Sequence, residues 1–166
     1  ITNCSNNFGP YQYPEKLIPV TILKLLKNEQ MGIYGNGKNI RDWLFVEDHC
    51  SALDIILNKA NPGSTYCIGG NNELRNIDLV NQICELVDDY SKKLNIDLIK
   101  DKSSDLICFV EDRLGHDKRY AVNSEKLLNE LYWKPKINFK EGLKRTVKWY
   151  LTNFSWWELI IKTNNH

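Results

Sequence analysis

The chain has 166 residues, with 22 Lys and Arg against 21 Asp and Glu and a formal net charge of +1. That length accommodates one domain with a sizeable core, and the balanced charge excludes the basic bias of a nucleic-acid or anionic-membrane binder. No apolar run is long enough to span a bilayer, and no charged segment followed by an apolar one opens the chain. Cys4, Cys50, Cys67, Cys84 and Cys108 are odd in number and form no Cys-x-x-Cys pair, which argues against zinc and against a disulfide framework. Buried free thiols in a reducing cytoplasm are expected instead. The opening ITNCSNN has no initiator Met and starts inside what reads as a strand, as a fragment would.

In chain order, residues 1–5 read as the end of a strand and SNNFGPYQYPEKLIP as a polar loop turned by Gly9-Pro10. Asn6 and Asn7 offer amides that both donate and accept, which suits the crevice of an open α/β sheet, although Asx turns are the commoner use of such residues. Leu17, Ile18, Ile22, Leu25 and Leu26 recur at helical spacing up to about Asn28. A short strand ends at Tyr34, and Gly35-Asn36-Gly37 forms a turn that needs positive φ. Trp43 to Val46 reads as a half-buried strand. Arg41 stands between turn and strand; its planar fork of donors suits phosphate, while spacing alone favours a hairpin with a surface Arg41–Asp42 ion pair. Glu47 and Asp48 open a helix at the end that favours negative charge, with Cys50, Ala52, Leu53, Ile56 and Leu57 facing inward until Asn61-Pro62-Gly63 stops it.

STYCIGG (64–70) reads as a parallel strand. Asn76 is the expected N-cap of a helix from Ile77 to about Lys93, with Leu79, Val80, Ile83, Leu86 and Val87 on its inner face. Residues 91–105 read as a solvated, variable connection and ICFV (107–110) as a strand. The following Asp112, Arg113, His116, Asp117, Lys118 and Arg119 are either a solvated charge run or a phosphate or ribose clamp. Asn123 or Ser124 caps a helix over 125–131, ended by Trp133-Lys134-Pro135. A last amphipathic helix from near Asn138 carries Phe139, Leu143, Val147 and Tyr150 on one face. Residues 156–166 read as a tail whose Trp156 and Trp157 dock on the body or on a partner.

Three stretches carry a family resemblance. MGIYGNGKNIRDWLFVEDH (31–49) resembles a block of the extended short-chain dehydrogenase/reductases that act on nucleotide sugars. SNNFGPYQYPEKLIP (5–19) and DRLGHD (112–117) are similar to segments of the dTDP-glucose 4,6-dehydratases, and related epimerases and decarboxylases share the second less closely. The resemblance implies an α/β fold: the C-terminal part of such an enzyme, with the last Rossmann strands and the smaller substrate-binding lobe, its N-terminal half absent. It implies that Arg41 grips the diphosphate of the sugar nucleotide. By the same token Asn6, Lys16, Leu17, Gly32, Tyr34, Asn76, Asp112, Arg113 and His116 are the other substrate-binding positions, and Asn7 lies by the cofactor, NAD. Phe8, Gly32 and Leu114 depart from the family's usual Tyr, Pro and Pro, and Gly32 bears on the choice of thymine over uracil.

The reaction that the resemblance implies is NAD-dependent conversion of dTDP-glucose to dTDP-4-keto-6-deoxyglucose and water, a lyase step of deoxysugar biosynthesis. Its base sits in a helical Tyr-x-x-x-Lys, where i and i+4 share a face, and a Gly-rich strand-to-helix turn holds the NAD pyrophosphate. Two literal Tyr-x-x-x-Lys matches occur, Tyr34 to Lys38 and Tyr132 to Lys136, but one spans the Gly turn and the other contains Pro135. No catalytic residue is therefore assigned to this chain; those groups are expected upstream of Ile1, and the chain alone is expected to be inactive. UDP-glucose 4,6-dehydratase, UDP-sugar decarboxylase and UDP-sugar epimerase are alternatives, as is an inactive nucleotide-sugar-binding module. No metal ligands are expected, and a complete enzyme would form a homodimer through the missing half.

Overall fold

Two short strands, β1 (Thr2–Cys4) and β2 (Asn6–Phe8), open the chain as one extended run broken at Ser5. Then follow α1 (Leu17–Leu26), β3 (Met31–Tyr34), β4 (Ile40–Phe45), α2 (Val46–Lys59), β5 (Tyr66–Ile68), β6 (Glu73–Arg75) and α3 (Asn76–Leu94). A 3-10 turn (Ser103–Leu106), β7 (Ile107–Val110), β8 (Arg119–Tyr120), α4 (Glu125–Leu131), α5 (Phe139–Thr152) and α6 (Phe154–Asn164) complete it. This computed structural model describes residues 1–99 and 102–164. Residues 100–101 of the expected connection and 165–166 of the expected tail lie outside the described residues.

Parallel pairs dominate: β1 with β5, β2 with β4, and β3 with β7. Such pairs need crossovers, which the helices between them supply. β4 also pairs antiparallel with β6 and parallel with β8, so it is the strand on which the most others converge. Alternation along β4 sends Trp43 and Phe45 into the main core with Phe8, Ile22, Leu79, Ile83, Leu143 and Tyr150. Leu44 points the other way, into a smaller cluster with Ala52, Tyr66, Ile68, Leu127 and Trp133. Each helix of the main core buries the stripe that its spacing predicts, including Leu79, Val80, Ile83 and Val87 of α3 and Leu143, Val147 and Tyr150 of α5.

The structure departs from the sequence reading in several places. β3 and β4 are not a hairpin, because each pairs with a strand distant in sequence. Their connection still requires glycine: Gly35 and Gly37 take φ of 56° and 69°. Asn6 and Asn7 lie in a strand, not a loop, since β4 supplies the partners that a local reading cannot see. α2 buries only Asp48 and Ala52. Cys50 and Leu53 are exposed and Leu57 is 85% exposed, because β2, β4 and α4 cover one narrow face of that helix. All five cysteines are free, but Cys84 alone is buried. Burial pushes its thiol up to about 12, with Asp88 adding to the shift.

The 91–105 stretch is more than a solvated connection. Ser91 is buried, Ile96 and Leu98 pack on the main core, and Asp88 accepts from the Ser103 backbone N–H at 3.1 Å. The tail is a helix docked on the body: Trp157 is 4% exposed and its Nε1 donates to the Tyr150 carbonyl at 3.0 Å. Of the two candidate caps before α4, the Asn123 carboxamide oxygen accepts from Glu125 N at 2.7 Å. α5 starts where expected, next to Asn138, and the structure adds that Asn138 caps it, accepting from Glu141 N at 2.9 Å.

Candidate functional site

Six strands and helices, with the loops after β2 and β7, converge on one cavity of about 620 Å³. β2 contributes Asn6, the segment after it Lys16, the first residue of α1 Leu17, and β3 Gly32 and Tyr34. Arg41 comes from β4, Asn76 from the start of α3, and Arg113 and His116 from the loop after β7. These positions lie far apart in sequence. The parallel β3–β7 and β2–β4 pairings bring them to one side.

The cationic wall is held by main-chain oxygens and rings. Arg41 Nη1 donates to the Ile40 carbonyl at 2.8 Å and to the Asp117 carbonyl at 3.0 Å. Among the described residues Arg41 forms no ion pair, so the expected bridge to Asp42 is absent. Asp42 is turned to the opposite face and buried; Oδ2 accepts from Gly70 N at 2.8 Å and Oδ1 from Asn72 N at 2.7 Å. The Arg113 guanidinium lies 4.9 Å from the centre of the Tyr34 ring, within cation–π range. His116 Nδ1 is 2.6 Å from Asp112 Oδ1, and its ring meets Tyr34 edge-on at 6.0 Å between centroids.

Asp112 does not line the cavity; it orients His116. The His116 hydrogen bond, helped by the Arg113 backbone N–H, holds its carboxyl below the usual carboxylate range. Gly35 is needed here twice over. Besides its positive φ, a Cβ there would come within 2.9 Å of Asp112 Oδ2. Asn39 fastens the same two loops, donating from Nδ2 to the Asp117 carbonyl at 3.1 Å.

Asn76 does not cap α3. The helix begins at Asn76 itself, and its side-chain oxygen is buried with no hydrogen-bond partner among the described residues, which leaves an acceptor beside the cavity. Asn7 lies outside the cavity lining. Strand alternation turns it away from Asn6, and its Nδ2 donates to Cys4 Sγ at 3.2 Å and to the Ser5 carbonyl at 3.1 Å. Its Oδ1 is buried and, among the described residues, unpartnered.

Glu15, Val20, Lys24, Trp43 and Val110 also line the cavity and were not singled out from sequence. Trp43 carried a usable signal, since it stands two residues from Arg41 in a strand and so shares its face. Neither Tyr-x-x-x-Lys match is helical: Tyr34 ends β3 and Tyr132 takes φ of 55° just after α4. Among the described residues, no group of three or more His, Cys, Asp or Glu is placed to hold a metal, and no helix is long and apolar enough to cross a membrane.

The sequence profile of the GDP-mannose 4,6-dehydratase family matches residues 1–146. The chain belongs to that family. Among its relatives is a probable dTDP-glucose 4,6-dehydratase of Sinorhizobium fredii, 51% identical over 158 residues, which cover 95% of this chain and 43% of that protein. The crystal structure of a Bacillus anthracis dTDP-glucose 4,6-dehydratase in complex with NAD superposes with a TM-score of 0.80 at 47% identity, over 95% of this chain and 46% of that one. A Streptomyces venezuelae dTDP-glucose 4,6-dehydratase with NAD and dTDP bound gives 0.79 at 39% identity, over 95% and 45%. The α/β fold with its parallel pairs is thus the fold of these extended dehydrogenase/reductase enzymes. This family member spans about 43% of the length of the curated relatives it matches.

Proposed function

We propose that residues 1–166 form the nucleotide-sugar-binding portion of an NAD-dependent dTDP-glucose 4,6-dehydratase. The observation that carries this reading is the single cavity that unites Asn6, Lys16, Leu17, Gly32, Tyr34, Arg41, Asn76, Arg113 and His116. Its chemistry fits an anionic ligand with a polar sugar. Arg41, Arg113, Lys16 and Lys24 supply four cations, of which Lys16 is paired with Glu15 at 2.6 Å, and two arginines offer the planar forks that hold phosphate oxygens. Asn6 and Asn76 supply amides for hydroxyl groups, and the unpartnered Asn76 oxygen gains a donor when a ligand enters. Asp112 keeps the His116 ring in place without entering the cavity. Tyr34 presents one ring to both Arg113 and His116 and so fixes that part of the wall.

Bound NAD would supply hydride-transfer chemistry. The residue of this chain that fits it is Asn7, whose buried Oδ1 lacks a donor. What residues 1–166 contribute is binding and orientation. The acid and base of the chemical steps are proposed to lie outside them, which agrees with the two non-helical Tyr-x-x-x-Lys matches. The five free thiols support a reducing compartment such as the cytoplasm.

Steady-state turnover by the complete enzyme that carries this chain tests the reading. With NAD present, dTDP-glucose is expected to yield the 4-keto-6-deoxy sugar nucleotide faster than UDP-glucose does. An epimerised or decarboxylated product, or no turnover of dTDP-glucose, would contradict it.

A further inference from the structure

Residues 9–16 join β2 to α1 and so connect Asn6 at one end to Lys16 at the other. α5 and α6 hold this segment from outside the cavity. Tyr11 takes φ of 63°, a left-handed conformation that an aromatic residue keeps only when its surroundings impose it. Its ring lies 4.6 Å from that of Trp149 and 5.4 Å from that of Trp156, centroid to centroid. A series of hydrogen bonds runs alongside. Trp157 Nε1 donates to the Tyr150 carbonyl, the Tyr150 hydroxyl donates to the Gln12 carbonyl, and Gln12 Nε2 donates to the Asn7 carbonyl at 2.7 Å. Among the described residues β2 is the edge of its sheet, so Gln12 supplies a donor where a neighbouring strand would.

We infer that Tyr150 and Trp156 are positioning residues for the nucleotide-sugar cavity: through them the C-terminal helices fix the segment that runs from the strand of Asn6 to Glu15 and Lys16, all three of which line it. The inference rests on the reading of the cavity given above. Neither residue lines the cavity, so any effect on ligand affinity passes through residues 9–16.

The test is calorimetric titration of dTDP into the complete enzyme, with backbone hydrogen exchange of residues 9–17 and Tm recorded on the same samples. Wild type is compared with Trp156→Ala, Trp156→Phe and Tyr150→Phe; both Phe variants keep a ring in place and so preserve packing. Trp156→Ala and Tyr150→Phe are expected to speed exchange in 9–17 and to weaken dTDP binding about fivefold, the scale of one aromatic contact or hydrogen bond. Trp156→Phe is expected to restore affinity to within about twofold, because it returns a ring to Tyr11. Leu159→Ser, on the exposed side of α6, is expected to change neither readout. Unaltered exchange, or faster exchange or lower Tm with unchanged dTDP affinity, overturns the inference. Wild-type enzyme that binds dTDP without converting dTDP-glucose overturns the proposed reaction alone, and the affinities still decide the inference. Wild-type enzyme that binds no dTDP overturns both.

Discussion

Arg41 and Asp42 are neighbours in β4, yet strand alternation gives them opposite surroundings. On one face, Asp42 is 1% exposed and both its oxygens are saturated by the backbone N–H groups of Gly70 and Asn72. Asp48, at the start of α2, does the same for Lys136 N and Ile137 N. These buried carboxylates are fasteners that tie distant loops to the scaffold. On the other face, Arg41 leans on two carbonyls and among the described residues meets no carboxylate, and Arg113 rests on a ring. A buried charge whose partners are all main-chain groups is spent on the fold. A cation with no counter-charge beside a cavity keeps its charge for a ligand.

The difference can be broken from either side. Asp42→Ala leaves two part-buried N–H groups unpaired and is expected to cost about 3 kcal/mol of stability, visible as a lower denaturation midpoint. Asp42→Asn retains one acceptor but sets its NH2 group against the other backbone N–H, donor facing donor, and should lose nearly as much. Nucleotide-sugar KM is expected to follow only as far as the fold does. Arg41→Ala, by contrast, should leave the midpoint nearly unchanged and raise KM for the sugar nucleotide at least about tenfold, from the loss of charge-assisted bonds of roughly 1.5–3 kcal/mol. An unchanged KM would return Arg41 to a surface role.

Two smaller effects sharpen the same contrast. Cys50 is exposed, whereas burial raises the Cys84 thiol to about 12. Alkylation of the native protein followed by peptide mass mapping should therefore label Cys50 and spare Cys84. The smallest effect is at Asp112, whose folded pKa is depressed by His116. A depressed carboxyl contributes stability that is present above its unfolded pKa, about 3.9, and lost as pH falls through the lower folded value. Local order of the 112–117 loop, followed by NMR, should fade only under acid. In His116→Ala the Asp112 carboxyl should titrate closer to its ordinary value.

Much of the scaffold was legible because it obeys local rules. Gly35 and Gly37 announced a turn with positive φ, the α3 and α5 stripes gave their buried faces, and the start of α5 fell beside Asn138. What escaped depended on partners far along the chain. Asn6–Phe8 is too polar to read as a strand until β4 is placed beside it, and the apolar spacing of Leu53 and Leu57 does not reveal that α2 is covered on one narrow side. The residues that meet in the cavity were found through the family resemblance; spacing alone pointed Arg41 at Asp42. Trp156 and Trp157 left body and partner equally open, and the rings of Tyr11 and Trp149 settle the matter for Trp156.

The most direct test of the central claim is a crystal structure of the complete enzyme with dTDP. The account predicts the diphosphate in the 620 Å³ cavity, touching Arg41 and Arg113, with the Asp42 contacts to Gly70 and Asn72 unchanged. A diphosphate bound away from both arginines, for instance in the 290 Å³ cavity beside Asn72 and Lys136, would contradict it.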